Sequence, residues 1–311
     1  SDVCSSDLLR TLADLVAAAR ARPGTISYGS TGIGSDDHLL MIAFEELAQL
    51  RPLNHVPFNG MAPEATALLG INTSSTDASV VLPDRLRKMD EWGLDMQALS
   101  INANWYAAPR DVAEKVIQIQ NEKLAALCSQ YPDRFVAFAS VALQFPELAA
   151  QQLEEGIRKY NLRGAAIGGH VNGDELSAPK FDVFWRKAEE LGCLIFMHPQ
   201  GIPEMEKRLA GRGGLSNVIG NPLETTIFLS HLIFDGTLDR FPGLKICAAH
   251  GGGYLPSYSA RSDYGCNRFP GDCKALKKKP TEYLKQLYFD TMVFTEEDRK
   301  STRLNSSHVK R

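Results

Sequence analysis

Two apolar stretches decide the fold of this chain: CLIFMHP at residues 193–199 and LKICAAHGGG at residues 244–253. Each apolar run is too short for a helix and is followed by Pro or Gly, so each predicts a buried parallel strand. His198 and His250 then follow the carboxyl ends of their strands, the edge at which barrel enzymes carry their active sites. The two stretches therefore predict an α/β fold with two histidines side by side.

The same alternation of strands and helices runs from residue 80 towards the C-terminus. Predicted strands cover residues 96–101, 135–143, 164–168, 193–197, 244–249 and 287–294, and predicted helices cover residues 84–92, 110–131, 147–160, 181–191, 223–241 and 280–285. Strands separated by helices favour a parallel sheet. A closed barrel of this kind has eight strands, so the pattern predicts an incomplete TIM-type (β/α)8 barrel that lacks its first and eighth strands.

The N-terminal part predicts a separate, small α/β fragment over residues 8–70. Residues 71–79 are polar and turn-forming, which indicates a junction before the partial barrel at residues 80–298. The terminal segments 1–7 and 299–311 look like translated adapter sequence, so we expect them to take no part in the fold.

Composition excludes several classes of partner. The chain has 311 residues, 44% of them hydrophobic, and a formal net charge of -3, which gives no field that would gather nucleic acid or an anionic membrane surface. It contains no apolar run of the roughly 20 residues that a membrane span needs. The six cysteines have no Cys-x-x-Cys spacing, which favours a reduced, cytoplasmic setting.

From about residue 82 to residue 297 the chain resembles the amidohydrolase-related family, in its aminocarboxymuconate-semialdehyde decarboxylase-like branch. The motifs that carry the resemblance are RKMD (87–90), MQALS (96–100), YPDRF (131–135), IGGHVN (167–172), FMHP (196–199), NPLETT (221–226), AHGGG (249–253) and FDT (289–291). The resemblance implies a barrel with one divalent metal, usually zinc, that removes carbon dioxide from an aromatic or enol carboxylate without oxidation.

The resemblance also implies roles for three residues. It makes His198 a metal ligand and His250 the catalytic acid or base, and it matches Arg261 to an arginine that reaches a substrate carboxylate from the neighbouring subunit, which implies a homodimer. The family's His-x-His pair and its last-strand aspartate have no counterpart in this sequence. A catalytic zinc usually needs three protein ligands, so we expect little or no activity. The alternatives are a locally hydrogen-bonded histidine at 198 and a turn histidine at 250.

Three further residues have weaker interpretations. We interpret Asp290, on the last predicted strand, as a residue that lines the substrate pocket and not as a metal ligand. His170 either faces the same pocket or is solvated in a loop. His231 falls within an apolar predicted helix, which indicates a core residue.

Residues 8–70 resemble the substrate-binding proteins of tripartite tricarboxylate transport. The motifs are RPGTISYGS (22–30), GIGS (32–35) and HVPFNGMAP (55–63). Beside the decarboxylase, the sequence leaves open a related amidohydrolase that cleaves an ester, lactone or amide, a carboxylate-binding protein built on residues 8–70, and a joined chain with no selected function.

Overall fold

A computed structural model describes residues 12–24, 26–30, 36–57, 82–91, 93–290 and 292. The chain divides into two compact units, residues 1–97 with 131–135 and residues 98–130 with 136–311. The predicted junction at residues 71–79 and both terminal segments lie outside the described residues. None of the helices in the described part of the chain combines the length and apolar character that a membrane span requires.

The first unit repeats the order helix, strand, helix, strand. Its elements are α1 (Leu12–Ala21), β1 (Ser27–Ser30), α2 (Asp36–Leu47), β2 (Asn54–Pro57) and α3 (Leu82–Glu91). Strands β1 and β2 pair in parallel, with Ser27 opposite Asn54. The buried carboxylate of Glu45 accepts a hydrogen bond of 2.8 Å from the backbone N–H of Leu53, which fixes the turn that leads into β2.

A parallel sheet of four strands organises the second unit, in the order β10–β9–β8–β5. From residue 97 onward the described strands, including those outside this sheet, are β3 (Gln97–Leu99), β4 (Phe135–Ala137), β5 (Gly164–Ile167), β6 (His170–Val171), β7 (Asp174–Glu175), β8 (Leu194–Met197), β9 (Lys245–Ala248) and β10 (Leu287–Phe289). β3 and β4 form a two-stranded sheet, and a parallel bridge joins Ala139 to Ala165 of β5. β6 and β7 form an antiparallel hairpin. The predicted parallel α/β sheet is therefore confirmed.

Helices alternate with the strands from β3 onward. They are α4 (Arg110–Gln130), α5 (Pro146–Arg158), α6 (Asp182–Leu191), α7 (Glu206–Leu209), α8 (Asn221–Phe234), α9 (Thr237–Arg240), α10 (Leu255–Arg268) and α11 (Pro280–Tyr283). Aromatic side chains of α6 fill the core: Phe184 and Trp185 are fully buried and meet edge to face at 5.3 Å. The Trp185 indole N–H donates to the carbonyl of Leu176 at 2.8 Å, so its polar atom is satisfied as burial requires.

Two predicted elements are shorter than expected. The predicted strand 135–143 is a strand only over Phe135–Ala137. Backbone pairing continues through Phe138 and Ala139, which donate to the carbonyls of Leu99 and Gly164. From Ser140 onward side chains take over: Asn121 bonds both the N–H and the carbonyl of Ser140, and Gln152 accepts from Ala142. The predicted strand 287–294 is described only as far as Phe289, and residues 291 and 293–294 lie outside the described residues. The stretches 58–81 and 293–311 are also outside them, so the absence of a first and an eighth strand stays a prediction.

The prediction of one continuous helix over residues 223–241 was wrong. The structure has two helices, because the left-handed backbone of Gly236 (φ 75°) ends α8 and precedes α9. His231 on α8 is not a core residue: its side chain is 41% exposed, and its ring nitrogens lie 2.9 Å from Asp235 and 3.7 Å from Glu175. The sequence pattern missed α10, because its Ser, Gly and Asn residues obscure the apolar periodicity.

A disulfide joins Cys266 at the end of α10 to Cys273, seven residues later. Cys128, Cys193 and Cys247 are free. The reduced setting expected from the cysteine spacing does not account for this bond.

Gly164 offers a test of the β5–β8 pairing. An added Cβ at this residue would lie 1.7 Å from the carbonyl oxygen of Leu194, its partner in the register. We therefore expect Gly164→Ala to lower the free energy of unfolding by about 3 kcal/mol or more through overpacking, measured by urea denaturation.

Gly265→Ala is the matched control, because Gly265 lies in α10 with no atom within 4 Å of its added Cβ. It should raise the free energy of unfolding by roughly 0.5–1 kcal/mol through helix propensity. Equal stability of the two variants would contradict the tight approach of β5 to β8.

Candidate functional site

The structure brings His198 and His250 together at one edge of the sheet. His198 directly follows β8 and donates its backbone N–H to the carbonyl of Ile167 on β5 at 2.9 Å. His250 follows the neighbouring strand β9 after one residue, and its ring centroid lies 5.3 Å from that of His198, with the planes inclined at 60°. The two imidazoles therefore lie side by side, as the sequence predicts.

Both imidazoles are held in their neutral form near pH 7. Burial lowers the pKa of His198 below 6.5, and the neighbouring His250 lowers it further. Burial also lowers the pKa of His250, while the carboxylate of Asp290 acts in the opposite direction. The Nδ1 atoms of both rings are buried, and neither has a hydrogen-bond partner in the described part of the chain. Neither Nδ1 atom is therefore engaged by another group in the described part of the chain.

Three glycines let the chain turn tightly after β9. His250 itself has a left-handed backbone (φ 57°), as do Gly251, Gly252 and Gly253. A Cβ added at Gly253 would lie 2.2 Å from the carbonyl oxygen of Pro222, so α8 packs directly against this turn. The close packing fixes the direction in which His250 leaves the sheet.

Asp290 supports the same turn from the next strand. It follows β10, its backbone N–H donates to the carbonyl of Ala248 at 3.1 Å, and its Oδ1 accepts from the N–H of Gly251 at 2.8 Å. The carboxylate also accepts from Met292 at 3.1 Å. Asp290 therefore contacts the backbone beside His250 and holds the turn.

Glu224 is a buried carboxylate that sequence reasoning missed. It lies in the first turn of α8, is 4% exposed, and accepts hydrogen bonds from the N–H groups of Gly169 (3.1 Å), Gln200 (2.8 Å) and Gly201. Burial raises its pKa to about 6, against the effect of the bond from Gly201 and of nearby His170. The signal was present in the sequence as the one acidic residue of a helix rich in apolar residues, NPLETTIFLSHLIF.

His170 lies near this carboxylate and not at the end of β5. It begins the β6–β7 hairpin, its Nδ1 accepts from the N–H of Gly173 at 3.1 Å, and its Nε2 lies 3.4 Å from the carbonyl of Gly201. Its ring is thus occupied by local backbone groups.

Arg261 is exposed on α10. It makes no hydrogen bond or ion pair with the other described residues of this chain. Two tyrosines of the same helix, Tyr258 and Tyr264, are also exposed, at 64% and 68%.

The described residues at the site do not form a metal centre by themselves. Within the described ranges, no group of three or more His, Cys, Asp or Glu side chains is placed to hold a metal ion. A catalytic zinc site usually has three protein ligands and one open position. His198 and His250 alone therefore do not fit such a group.

Two family profiles match the chain. The amidohydrolase profile matches residues 76–299, and the profile of the tripartite tricarboxylate transporter family receptor matches residues 3–104. The two matches overlap over residues 76–104. Both resemblances drawn from the sequence motifs are thereby confirmed.

Individual relatives are decarboxylases. The chain is 32% identical over 220 residues to 2-amino-3-carboxymuconate-6-semialdehyde decarboxylase of Dictyostelium discoideum, which covers 69% of this chain and 60% of the relative. The matched part of this chain therefore spans less than two thirds of that relative's length.

Solved decarboxylases share the fold. The 2,6-dihydroxybenzoate decarboxylase from Rhizobium has a TM-score of 0.64 at 25% identity, covering 73% of this chain and 75% of that chain. A variant of 5-carboxyvanillate decarboxylase from Novosphingobium aromaticivorans, solved with manganese and 3-methoxy-4-hydroxy-5-nitrobenzoic acid, has a TM-score of 0.68 at 25% identity, covering 90% of this chain and 82% of that chain. The α/β fold of this chain thus matches that of amidohydrolase-type barrel decarboxylases.

The lowered pKa values predict how the site responds to acid. We expect the ring C–H signals of His198 and His250 to titrate with midpoints below pH 6.5. A folded chain that binds fewer protons than the unfolded chain loses stability as the pH falls, so these rings should lower the free energy of unfolding as the pH decreases from 6.5. Glu224 acts with the opposite sign, because its raised pKa lowers that free energy as the pH rises from 4.5 to about 6.

The measurement is a nuclear magnetic resonance titration of chain labelled with ¹³C-histidine, with the two signals assigned by their loss in His198→Gln and His250→Gln. Midpoints at or above pH 6.5 would contradict the burial of the rings. A His198→Gln/His250→Gln double variant whose stability still falls as steeply below pH 6.5 would assign the effect to other groups.

Proposed function

Because the chain belongs to the amidohydrolase family through residues 76–299, we propose that its residues 80–298 are a partial barrel of a non-oxidative decarboxylase for an aromatic or enol carboxylate. The observation that carries the proposal is the pair of neutral imidazoles, His198 and His250, 5.3 Å apart at the carboxyl edge of the parallel sheet. The decarboxylases named above support it by similarity.

Decarboxylation breaks one carbon–carbon bond and needs one proton. Carbon dioxide leaves without the bonding electron pair, which stays on the carbon, and a proton must be delivered there to give the product. We assign this delivery to His250. Burial lowers the pKa of this imidazole, so near neutral pH the ring is mainly the neutral base, which must take up a proton before it can deliver one to the carbon.

The substrate would be held by residues around this pair. In the proposal Asp290 lines the pocket beside Gly251, and His170, the first residue of β6, lies at its edge. Arg261 would serve a neighbouring copy of the chain, which makes the proposed active form a homodimer. An exposed arginine without a partner among the described residues is compatible with that role.

A divalent metal is the group that the family analogy adds. His198 is the residue of this chain that would bind it, zinc being our expectation, while manganese is bound in the solved relative named above. The described residues supply no third ligand. We therefore expect the chain as it stands to have little or no decarboxylase activity.

A second candidate rests on the match of residues 3–104 to a transporter receptor. We infer that residues 8–70 are a fragment of such a carboxylate-binding protein, joined to the barrel at residues 71–79. A third candidate, hydrolysis of an ester, lactone or amide, is compatible with the same two histidines.

Metal content and carbon dioxide release test the first candidate together. After incubation with zinc or manganese and dialysis, we expect well below one metal ion per chain, no excess over His198→Ala, and no carbon dioxide release from 2,6-dihydroxybenzoate. The physical reason is the incomplete ligand set.

Other outcomes of that experiment are equally informative. Near-stoichiometric metal that is lost in His198→Ala would contradict the incomplete site, and carbon dioxide release with it would make this chain an active decarboxylase. Hydrolysis of a lactone without carbon dioxide release would favour the third candidate. Saturable calorimetric binding of a small dicarboxylate that His250→Gln leaves unchanged would favour the second.

A further inference from the structure

One side chain of helix α8 ties together the loops that follow β5 and β8. Oε1 of Glu224 accepts from Gly169, two residues after β5 ends, and Oε2 accepts from both Gln200 and Gly201, three and four residues after β8 ends. The carboxylate lies in the unit formed by residues 98–130 and 136–311, as do both loops. All three contacts are to backbone N–H groups, so they fix the course of the chain.

His198 lies between the two anchored points. Its own N–H is bonded to Ile167 of β5, and two residues later Gln200 is held by Glu224. The segment that carries the imidazole is therefore restrained on both sides. A ring placed between two fixed backbone positions has few orientations open to it.

The loop after β5 is shaped for this contact. A Cβ added at Gly169 would lie 2.5 Å from Oε1 of Glu224 and 2.7 Å from Cε of Met197, so only glycine allows the approach. The preceding residue is held as well, because the N–H of Gly168 donates to the buried hydroxyl of Tyr106 at 3.2 Å.

We propose that Glu224 is a positioning residue that fixes the ring of His198 towards His250. The inference rests on the proposed role of the two histidines, but its test does not require catalysis. Three N–H donors converge on one side chain, and a carboxylate satisfies them because it only accepts. An amide would turn an NH₂ group towards at least one of these donors, which leaves a buried donor unpaired. Burial raises the pKa of this carboxyl to about 6, and the three backbone bonds act in the opposite direction because they favour the carboxylate.

Two variants remove the contact from opposite sides. Glu224→Gln removes one acceptor oxygen, and Gly169→Ala displaces the carboxylate while leaving it charged. Gln152→Leu is the matched control: Gln152 is also buried on a helix and accepts a backbone N–H, that of Ala142, at 2.8 Å, but this bond does not involve the loops beside His198.

The readout is the nuclear Overhauser cross-peak between the ring protons of His198 and His250, whose centroids are 5.3 Å apart. We expect the cross-peak in the unmodified chain and in Gln152→Leu, and its loss in Glu224→Gln and Gly169→Ala, with urea denaturation showing that the variants remain folded. If the cross-peak were lost only because the chain is less stable, Gln152→Leu would lose it as well.

Retention of the cross-peak in both folded variants would overturn the proposal. So would an equal loss in Gln152→Leu, or unfolding of both Glu224→Gln and Gly169→Ala where Gln152→Leu folds, since Glu224 would then act only on stability. Failure of carbon dioxide release leaves this experiment unaffected, so the two proposals fail separately.

Discussion

The pairing of β8 between β5 and β9 is the constraint on which the rest of the site depends. The ladder continues one step beyond the strands, through the bonds from His198 to Ile167, from Ala249 to Met197 and from Asp290 to Ala248. Parallel strands end at a common edge, and these bonds keep the chain extended as far as that edge. The two imidazoles and the Asp290 carboxylate lie close together there because their residues directly follow neighbouring strands of one sheet.

Hydrogen-bond donors are distributed unevenly around this edge. The carboxylate of Glu224 receives three of them and that of Asp290 receives two. The buried Nδ1 atoms of His198 and His250 have none within the described residues. A buried polar atom without a partner costs about 1–3 kcal/mol, and native proteins keep few of them. The two carboxylates thus hold the backbone at this edge, while the Nδ1 atoms of the two rings are without a partner among the described residues, which agrees with the proposed role of the rings.

The sequence predicted the elements whose signal is local. The runs that end at Met197 and Ala248 are short, apolar and punctuated by Pro or Gly, so their strands and the position of both histidines followed from the pattern. The prediction from the sequence failed where side chains, and not neighbouring strands, bond the backbone. After Ala139, Asn121 of α4 and Gln152 of α5 bond the backbone in place of a neighbouring strand, and no periodicity records that. The same is true of Glu224, whose partners lie 23 to 55 residues away.

His250 combines a reactive side chain with a backbone conformation that suits it poorly. A residue with a Cβ pays roughly 1–2 kcal/mol in the left-handed region, whereas glycine, which occupies the next three positions, adopts it freely. Replacement of His250 by glycine would relax the turn. The turn therefore carries a cost in stability that glycine would avoid, and under the proposed function that cost accompanies the placement of an imidazole beside His198.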